Sequence, residues 1–181
     1  MRLRKILCFG LSLGWLLAAA TSRAQTPHPS EYQLKAAFIY NFAKFIDWPS
    51  PASADQTPPF IIGVLGDNPF GNDFEQMIAG KKINDRPVSI RTFRTATEAT
   101  NCQILFVSVS EKKRFPEIIQ SLHTVPVLTV SETDGFIEAG GMVNFVEEAG
   151  KIRFQINDDA AKAARLKISS KLLSLAVVST H

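Results

Sequence analysis

The sequence contains few of the residues that most often build catalytic and metal sites. It has 2 cysteines and 3 histidines among 181 residues. His28, His123 and His181 are far apart, and none has another histidine or a cysteine at metal-ligand spacing, so the sequence gives no support for a zinc site. It also lacks a Gly-x-Ser-x-Gly motif and a serine or cysteine with an evident base. We therefore predict no catalytic residues, no metal ligands and no cofactor, and a hydrolase is the least supported class of function.

The chain also lacks a hydrophobic run of the length that crosses a membrane. Residues 6–20 are uncharged but number only 15, whereas about 20 apolar residues are needed to span the hydrocarbon core. Three basic residues precede this run within the first five positions, and the small residues Ser22 and Ala24 follow it. A secretory signal consists of a basic N-terminal region, a short apolar region and a cleavage site with small residues at two positions separated by one residue. We predict that residues 1–24 are a signal peptide cleaved near Ala24, with an uncleaved anchor as the alternative.

Removal of the signal peptide leaves little net charge. Four of the 20 basic residues and none of the 17 acidic residues lie in residues 1–24, so the remaining chain has 16 basic and 17 acidic residues. Nucleic-acid binding needs a basic surface. We therefore predict no nucleic-acid partner for the exported protein.

One cysteine, Cys102, remains after cleavage. A single cysteine excludes an intramolecular disulfide, and in an oxidising compartment such a residue is either buried or available for pairing between molecules. Cys102 opens the apolar run 102–107, which favours burial. The 157 residues left when 24 are removed from 181 suit a single domain with one hydrophobic core.

A short polar leader, residues 25–29, is predicted to be flexible and to precede a helix. Ser30 and Gln33 stand at the spacing of a capping box, in which the two side chains bond each other's backbone N–H groups. The helix is predicted to run to Ile46, because a Trp-Pro pair follows and the residue before a proline is pushed out of the helical region.

Apolar residues occupy almost every side of this first helix. Such a helix is either buried among other elements or docks on a partner, and the sequence leaves both interpretations open. In the second case Tyr40, Lys44 and Trp48 are the candidate contacts for a partner or ligand.

The rest of the chain alternates short apolar segments with helical patterns, which predicts βαβ units and a largely parallel sheet. Asn157 or Asp158 is predicted to cap a final helix that reaches Ala176. The predicted fold is a single α/β domain over residues 30–181, with a mostly parallel sheet of about four strands, a C-terminal β-hairpin and flanking helices. The predicted strands are 60–65, 87–93, 103–109, 126–130, 142–146 and 151–156, and the helices between them are 69–80, capped by Asn68, and 111–122, capped by Ser110.

Two places in this pattern are candidate sites for a small anion. Asp67 and Asn68 stand at a strand-to-helix turn, where α/β sheets bind ligands, although turn formation alone explains both residues. Arg153 lies within an apolar strand and either binds a carboxylate or phosphate or pairs with a cross-strand acid such as Glu147. A periplasmic small-molecule binding protein with its pocket at one of these places is one hypothesis for the function.

Two longer segments are more distinctive than the alternation of strands and helices. The first is the EYQLKAAFIYNFAKFIDWP run of residues 31–49, and the second joins LTVS at 128–131 to GGMVNF at 140–145 and RFQIN at 153–157. In order and spacing they resemble the YfiR family. The resemblance covers essentially all of the chain after the signal peptide, and it extends to the segments 62–71, 102–106 and 166–173.

The resemblance implies a periplasmic regulator rather than an enzyme. Proteins of this family restrain an inner-membrane GGDEF diguanylate cyclase through its periplasmic sensor region and so lower cyclic-di-GMP and biofilm output. An OmpA-like outer-membrane lipoprotein can sequester the repressor, and homodimers are associated with the family. Disulfide-dependent stability is associated with it too, but Cys102 alone cannot form an intramolecular bond, so redox control of this chain is not expected. The family supplies no catalytic residues to carry over.

Overall fold

The computed structural model describes residues 29–49 and 58–177. The predicted signal peptide and residues 25–28 of the predicted leader lie outside this part of the chain. Within it the chain forms five α-helices, nine β-strands and two 3₁₀-helices. The α-helices are α1 (Glu31–Phe42), α2 (Asp73–Ile78), α3 (Phe115–Leu122), α4 (Asp158–Ala163) and α5 (Ser170–Leu173). The strands are β1 (Ile46–Asp47), β2 (Phe60–Leu65), β3 (Lys82–Ile83), β4 (Arg86–Phe93), β5 (Ile104–Val107), β6 (Leu128–Ser131), β7 (Val143–Glu148), β8 (Lys151–Ile156) and β9 (Lys167–Ile168).

A seven-stranded sheet with the order β3-β4-β2-β5-β6-β7-β8 forms the centre of the fold. The five inner strands are parallel to one another, and β3 and β8 run antiparallel at the two edges. The prediction of an α/β fold with a mostly parallel sheet is confirmed. The predicted size of about four strands is wrong.

The sheet is larger because the C-terminal hairpin belongs to it. Val130 and Ser131 of β6 pair in parallel with Val143 and Asn144 of β7, so the hairpin continues the sheet instead of standing beside it. The hairpin turn has positive φ angles of 51° at Ala149 and 71° at Gly150, as a two-residue type I′ turn requires. Strand β3 was missed because two residues are too few to show a period.

Each face of the sheet is covered by its own hydrophobic cluster. On one face, Phe42 of α1 meets Phe154 of β8 edge-to-face with a centroid distance of 5.0 Å and stacks on Phe145 of β7 at 5.9 Å. On the other face, Phe115 at the start of α3 packs against Phe136 at 5.0 Å. Burial of each of these phenylalanines contributes on the order of 2 kcal/mol. Most of the apolar surface of α1 is therefore core.

Helix α1 begins as the sequence predicts and ends earlier. Ser30 and Gln33 form both bonds of the capping box, with Ser30 N–H donating to Gln33 Oε1 at 2.9 Å. The predicted end at Ile46 is wrong, because Ile46 lies in β1 opposite Ile168 of β9. Ile46 is buried by that pairing, a contact between distant parts of the chain that overrides the local helical pattern.

Two predicted helix caps are wrong. Asn68 Oδ1 accepts from Phe70 N–H at 3.0 Å in a local turn, and α2 begins only at Asp73. Ser110 lies inside a 3₁₀-helix, Val109–Arg114, whose cap is Ser108. Both helices begin later than predicted because Asn and Ser side chains stabilise turns as readily as helix starts.

The predicted final helix is divided into three elements. Asn157 caps α4, with its Oδ1 accepting from Ala160 N–H at 3.0 Å, as predicted. Helix α4 ends before Arg165, whose φ of 61° is left-handed and cannot continue a helix. The chain then forms β9 and the short helix α5, so a continuous helix to Ala176 is wrong.

Candidate functional site

At the predicted turn site, Asp67 and Asn68 form hydrogen bonds within the protein. Strands β2 and β5 are neighbours whose connections leave in opposite directions, so their carboxyl ends are the topological switch point of the sheet. There, Asp67 N–H donates to Ser110 Oγ at 3.0 Å, and Asn68 bonds the backbone locally. A Cβ atom on Gly66 would lie 2.4 Å from Ser110 Oγ. The loops that carry Gly66 and Ser110 therefore approach each other closely at this turn.

Tyr40 and Lys44 lie together, whereas Trp48 packs elsewhere. Lys44 Nζ lies 4.2 Å from the centroid of the Tyr40 ring, and Lys81 Nζ lies 4.9 Å from the same ring. Trp48 meets Phe60 edge-to-face at 5.4 Å, and its Nε1 donates to the carbonyl oxygen of Ala43 at 3.3 Å. The contacts of Trp48 hold the segment after α1 against the start of β2.

Arg153 is on the outermost strand of the hairpin, where its Nε lies 3.8 Å from Glu148 Oε2. Arg153 thus pairs with a cross-strand acid, as one of its two interpretations predicted, but the acid is Glu148 and not Glu147. Glu147 is opposite Ile152, and Arg153 is opposite Val146. Because side chains alternate between the faces of a strand, Glu147 and Arg153 point to opposite faces.

A groove lies between α1 and the β7–β8 hairpin. Its volume is about 630 Å³. Apolar side chains from both elements form most of its surface, and charged side chains stand at its rim. None of the six candidate contacts predicted from the sequence lines it. The lining residues are Glu31, Leu34, Lys35, Phe38, Glu132, Phe145, Val146, Glu147, Gly150, Lys151 and Ile152.

An ion cluster around the buried side chain of Lys35 forms part of the wall of this groove. The ammonium group of Lys35, on a side chain that is 8% exposed, contacts the carboxylates of Glu31 and Glu132. Tyr32 OH donates to Glu132 Oε1 at 3.0 Å. Burial disfavours the charged form of Lys35, but its hydrogen bonds with Glu132 and Glu31 outweigh burial, and its pKa is raised. Burial and the bond to Glu132 raise the pKa of Tyr32.

Two distant segments build this ion cluster. Glu31, Tyr32 and Lys35 share the first turns of α1, where residues four apart lie on one face. Glu132 follows directly after β6, at the carboxyl end of the parallel strands. The cluster was not predicted from the sequence. The available signal was Lys35, a lysine within the apolar stretch of α1. A lysine side chain is buried only when a carboxylate is near enough to pair with it.

A second, shallower depression of about 410 Å³ lies on the other side of the ion cluster. It shares Glu31, Lys35 and Glu132 with the groove. Val109, a large apolar residue that is 59% exposed, also lines it. The cluster is thus a polar wall between two depressions, and exposed apolar side chains stand on both sides of it.

Cys102 has no part in either depression. It is 2% exposed, and burial raises the pKa of its thiol to about 12. The prediction that Cys102 is buried is confirmed, and a thiol with so high a pKa forms almost no thiolate at neutral pH.

The described residues hold no group of three or more His, Cys, Asp or Glu side chains that could bind a metal ion. The longest helix among them has 12 residues, and none combines the length and hydropathy that crossing a membrane requires.

Comparison with solved structures finds similar folds at low sequence identity. A conserved domain protein from Vibrio cholerae aligns with a TM-score of 0.50 and 12% identity, over 82% of this chain and 60% of that chain. The ABC domain from Streptococcus pneumoniae, solved in complex with L-Trp, aligns with a TM-score of 0.49 and 13% identity, over 80% of this chain and 59% of that chain. The similarity to the Vibrio cholerae protein concerns the fold alone. This chain spans about three fifths of the length of either protein.

Comparison with curated proteins finds no match. Among protein families, the model of DUF4154, described as YfiR/HmsC-like, matches residues 32–177. The match begins in α1 and runs beyond α5, so it includes every residue that lines the groove except Glu31. The resemblance drawn from the sequence is confirmed, and the chain belongs to the YfiR/HmsC-like family.

Proposed function

We propose that this protein is a periplasmic regulatory binding protein without catalytic activity. It restrains an inner-membrane diguanylate cyclase by binding the periplasmic sensor region of that enzyme, and so lowers cyclic-di-GMP. The observation that carries the proposal is the family match over residues 32–177. The predicted signal peptide supports it, because export delivers the domain to the side of the membrane on which the sensor region lies.

The groove between α1 and the hairpin is our candidate for the surface that binds the cyclase. Protein interfaces combine an apolar centre with a polar rim. Leu34, which is 40% exposed, and the partly buried Phe38 and Ile152 supply the apolar part. Glu147 and Lys151 supply charged groups at the rim. The rigid attachment of α1 to the hairpin by its phenylalanines keeps this surface preformed.

Restraint of the cyclase then follows from differential binding. A repressor that binds the inactive conformation more tightly shifts the population towards it, and the shift is limited by the ratio of the two affinities. An OmpA-like outer-membrane lipoprotein relieves the restraint by competing for the repressor, and a homodimer is a further proposed assembly. No catalytic group is needed for any of these steps.

A small molecule is the second candidate occupant of the same groove. Its volume of about 630 Å³ lies within the roughly 300–1,000 Å³ of ligand pockets. Apolar walls with a few convergent polar groups, here Glu31, Lys35 and Glu132, are typical of such pockets. This hypothesis moves the predicted ligand site from the Asp67–Asn68 turn to the groove. A thermal-shift screen of nucleotides, amino acids and vitamins tests it, because a ligand of the folded state raises the melting temperature.

Cellular cyclic-di-GMP tests the proposed function. Deletion of the gene is expected to raise cyclic-di-GMP, and the wild-type gene supplied in trans is expected to lower it again. Leu34→Asp places a charge in the apolar part of the groove at an exposed position, so the variant should fold and fail to restore repression. Leu175→Asp is the matched control, because Leu175 is 54% exposed and does not line the groove.

The possible results separate the function from the site. Unchanged cyclic-di-GMP in the deletion strain contradicts the proposed function. Full repression by the Leu34→Asp variant, with the deletion effect intact, contradicts the groove as the binding surface. Loss of repression in the Leu175→Asp strain would show that an added charge acts through stability or export, which the amount of protein in the periplasm then checks.

A further inference from the structure

Five exposed lysines lie at the end of the molecule opposite the ion cluster. Helix α1 starts beside Glu132, at the carboxyl end of β6, and the chain after it reaches Phe60, at the amino end of β2. The C-terminal end of α1 therefore lies near the amino ends of the parallel strands. Around it are the residues that we call the lysine patch: Lys44, Lys81, Lys82, Lys167 and Lys171.

Two aromatic rings bring these lysines together. The Tyr40 ring lies beneath both Lys44 and Lys81, at 4.2 Å and 4.9 Å, and Tyr40 OH donates to the carbonyl oxygen of Lys82 at 3.3 Å. The Phe45 ring lies 5.5 Å from Lys171 Nζ. An ammonium group over an aromatic face is attracted to it, so these side chains have preferred positions before any partner arrives.

The charge of the lysine patch is not neutralised within the described residues. None of its five ammonium groups forms an ion pair there, whereas Lys35, Arg114, Arg153 and Lys162 all do. Lys167 is opposite Asp47 in the β1–β9 pair without a salt bridge. When the negative charges of Asp47 and Asp85 are subtracted from the five lysines, the net charge of the patch is still positive. The predicted exported form of the whole chain, by contrast, is close to neutral.

We infer that the lysine patch binds a negatively charged lipid surface. Protein interfaces are depleted in lysine and built around buried aromatic or apolar anchors, and no lysine of the patch lines either depression described above. Spread, exposed ammonium groups fit the diffuse charge of a bilayer containing anionic phospholipid. Each lysine near such a surface strengthens binding about fivefold.

Lipid binding at this end orients the protein. The ion cluster stands at the other end of α1, so it faces away from the bilayer when the patch is on the membrane. The inference goes beyond the proposed function and does not depend on it, since the patch binds lipid whether or not a cyclase is present.

Co-sedimentation tests the inference, with the protein purified from cells and mixed with lipid vesicles. Vesicles of phosphatidylglycerol and phosphatidylethanolamine are expected to bind it, vesicles of phosphatidylcholine alone are not, and salt should weaken the binding because surface charges are screened. Replacement of Lys44, Lys81 and Lys171 by glutamine should weaken binding about a hundredfold. The matched control replaces three exposed basic residues near the carboxyl ends of the strands, Arg91, Arg94 and Lys113, by glutamine and should retain binding within a few-fold.

Three results would overturn the inference. The first is equal binding by the patch variant and the wild type. The second is an equal loss in the control variant, which would mean that only net charge matters. The third is binding of soluble polyglutamate without binding of anionic vesicles, which would indicate an acidic protein partner. All six positions are exposed, and circular dichroism verifies that both variants are folded.

Discussion

At the scale of single residues, Lys35 is the most informative side chain. It is a lysine within an apolar helix, and it stays charged because Glu31 and Glu132 contact its ammonium group. A buried cation of this kind links two distant segments only in the folded state. The side chains that the sequence analysis selected are exposed or act locally, whereas this cluster depends on a contact across 97 positions of the chain.

The ion cluster predicts how stability depends on pH. The folded pKa values of Lys35 and Tyr32 lie above the ordinary values of 10.5 and 10.0 for these side chains. A raised pKa means that the folded state binds the proton more tightly, so the stabilisation is complete below pH 10 and is lost as the pH rises through the folded values. Urea unfolding between pH 8 and pH 11.5 should show this loss.

Tyr32→Phe removes one of the two groups and should make the alkaline loss of stability shallower. Tyr40→Phe is the matched control, because it makes the same substitution on the same helix outside the ion cluster, where Tyr40 OH bonds a backbone carbonyl. The interpretation of the cluster is wrong if Tyr32→Phe leaves the slope between pH 10 and pH 11.5 unchanged.

At the scale of secondary-structure elements, the contact between α1 and the hairpin sets the shape of the groove. Phe42 packs on both Phe145 and Phe154 and is 1% exposed. Phe42→Ala should lower the free energy of unfolding by about 3–5 kcal/mol, measured by urea denaturation. Leu34→Ala, on the same helix but 40% exposed, should change it by about 0.5 kcal/mol or less. Equal losses in the two variants would contradict this account of the helix.

Elements with strong local signals were predictable from the sequence. The capping box at Ser30 and Gln33, the hairpin turn at Gly150 and the cap at Asn157 each depend on residues within a few positions of one another. Elements made by distant pairing were not predictable. Ile46 becomes a strand only because Ile168 lies beside it, and local periodicity carries no record of that partner.

The candidate site was harder to predict than the fold, for the same reason. Its walls come from α1, from the residue after β6 and from the hairpin, so no single motif describes it. Arg153 was placed on the correct strand but on the wrong face relative to Glu147, because the register of the hairpin decides which side chains meet. A lysine within an apolar helix was the one local sign of the site.

At the scale of the whole molecule, one domain presents two different surfaces at opposite ends of α1. The groove and ion cluster are our candidate for binding a sensor region, and the lysine patch is our candidate for binding lipid. Together the two proposals describe a regulator held at a membrane with its binding groove accessible to a membrane protein. The family match over residues 32–177 supports the regulatory part of this account.

The rate of cyclic-di-GMP synthesis by the partner enzyme is the decisive measurement for the proposed regulation. The partner cyclase is identified by co-purification, embedded in lipid discs and assayed with increasing amounts of this protein on the periplasmic face. We expect the rate to fall to a saturated minimum as the protein is added. Couplings between sites are typically about 5- to 150-fold, which sets the size of the fall, and the Leu34→Asp variant should lower the rate little. A rate that stays constant while the protein is bound would contradict the proposed regulation.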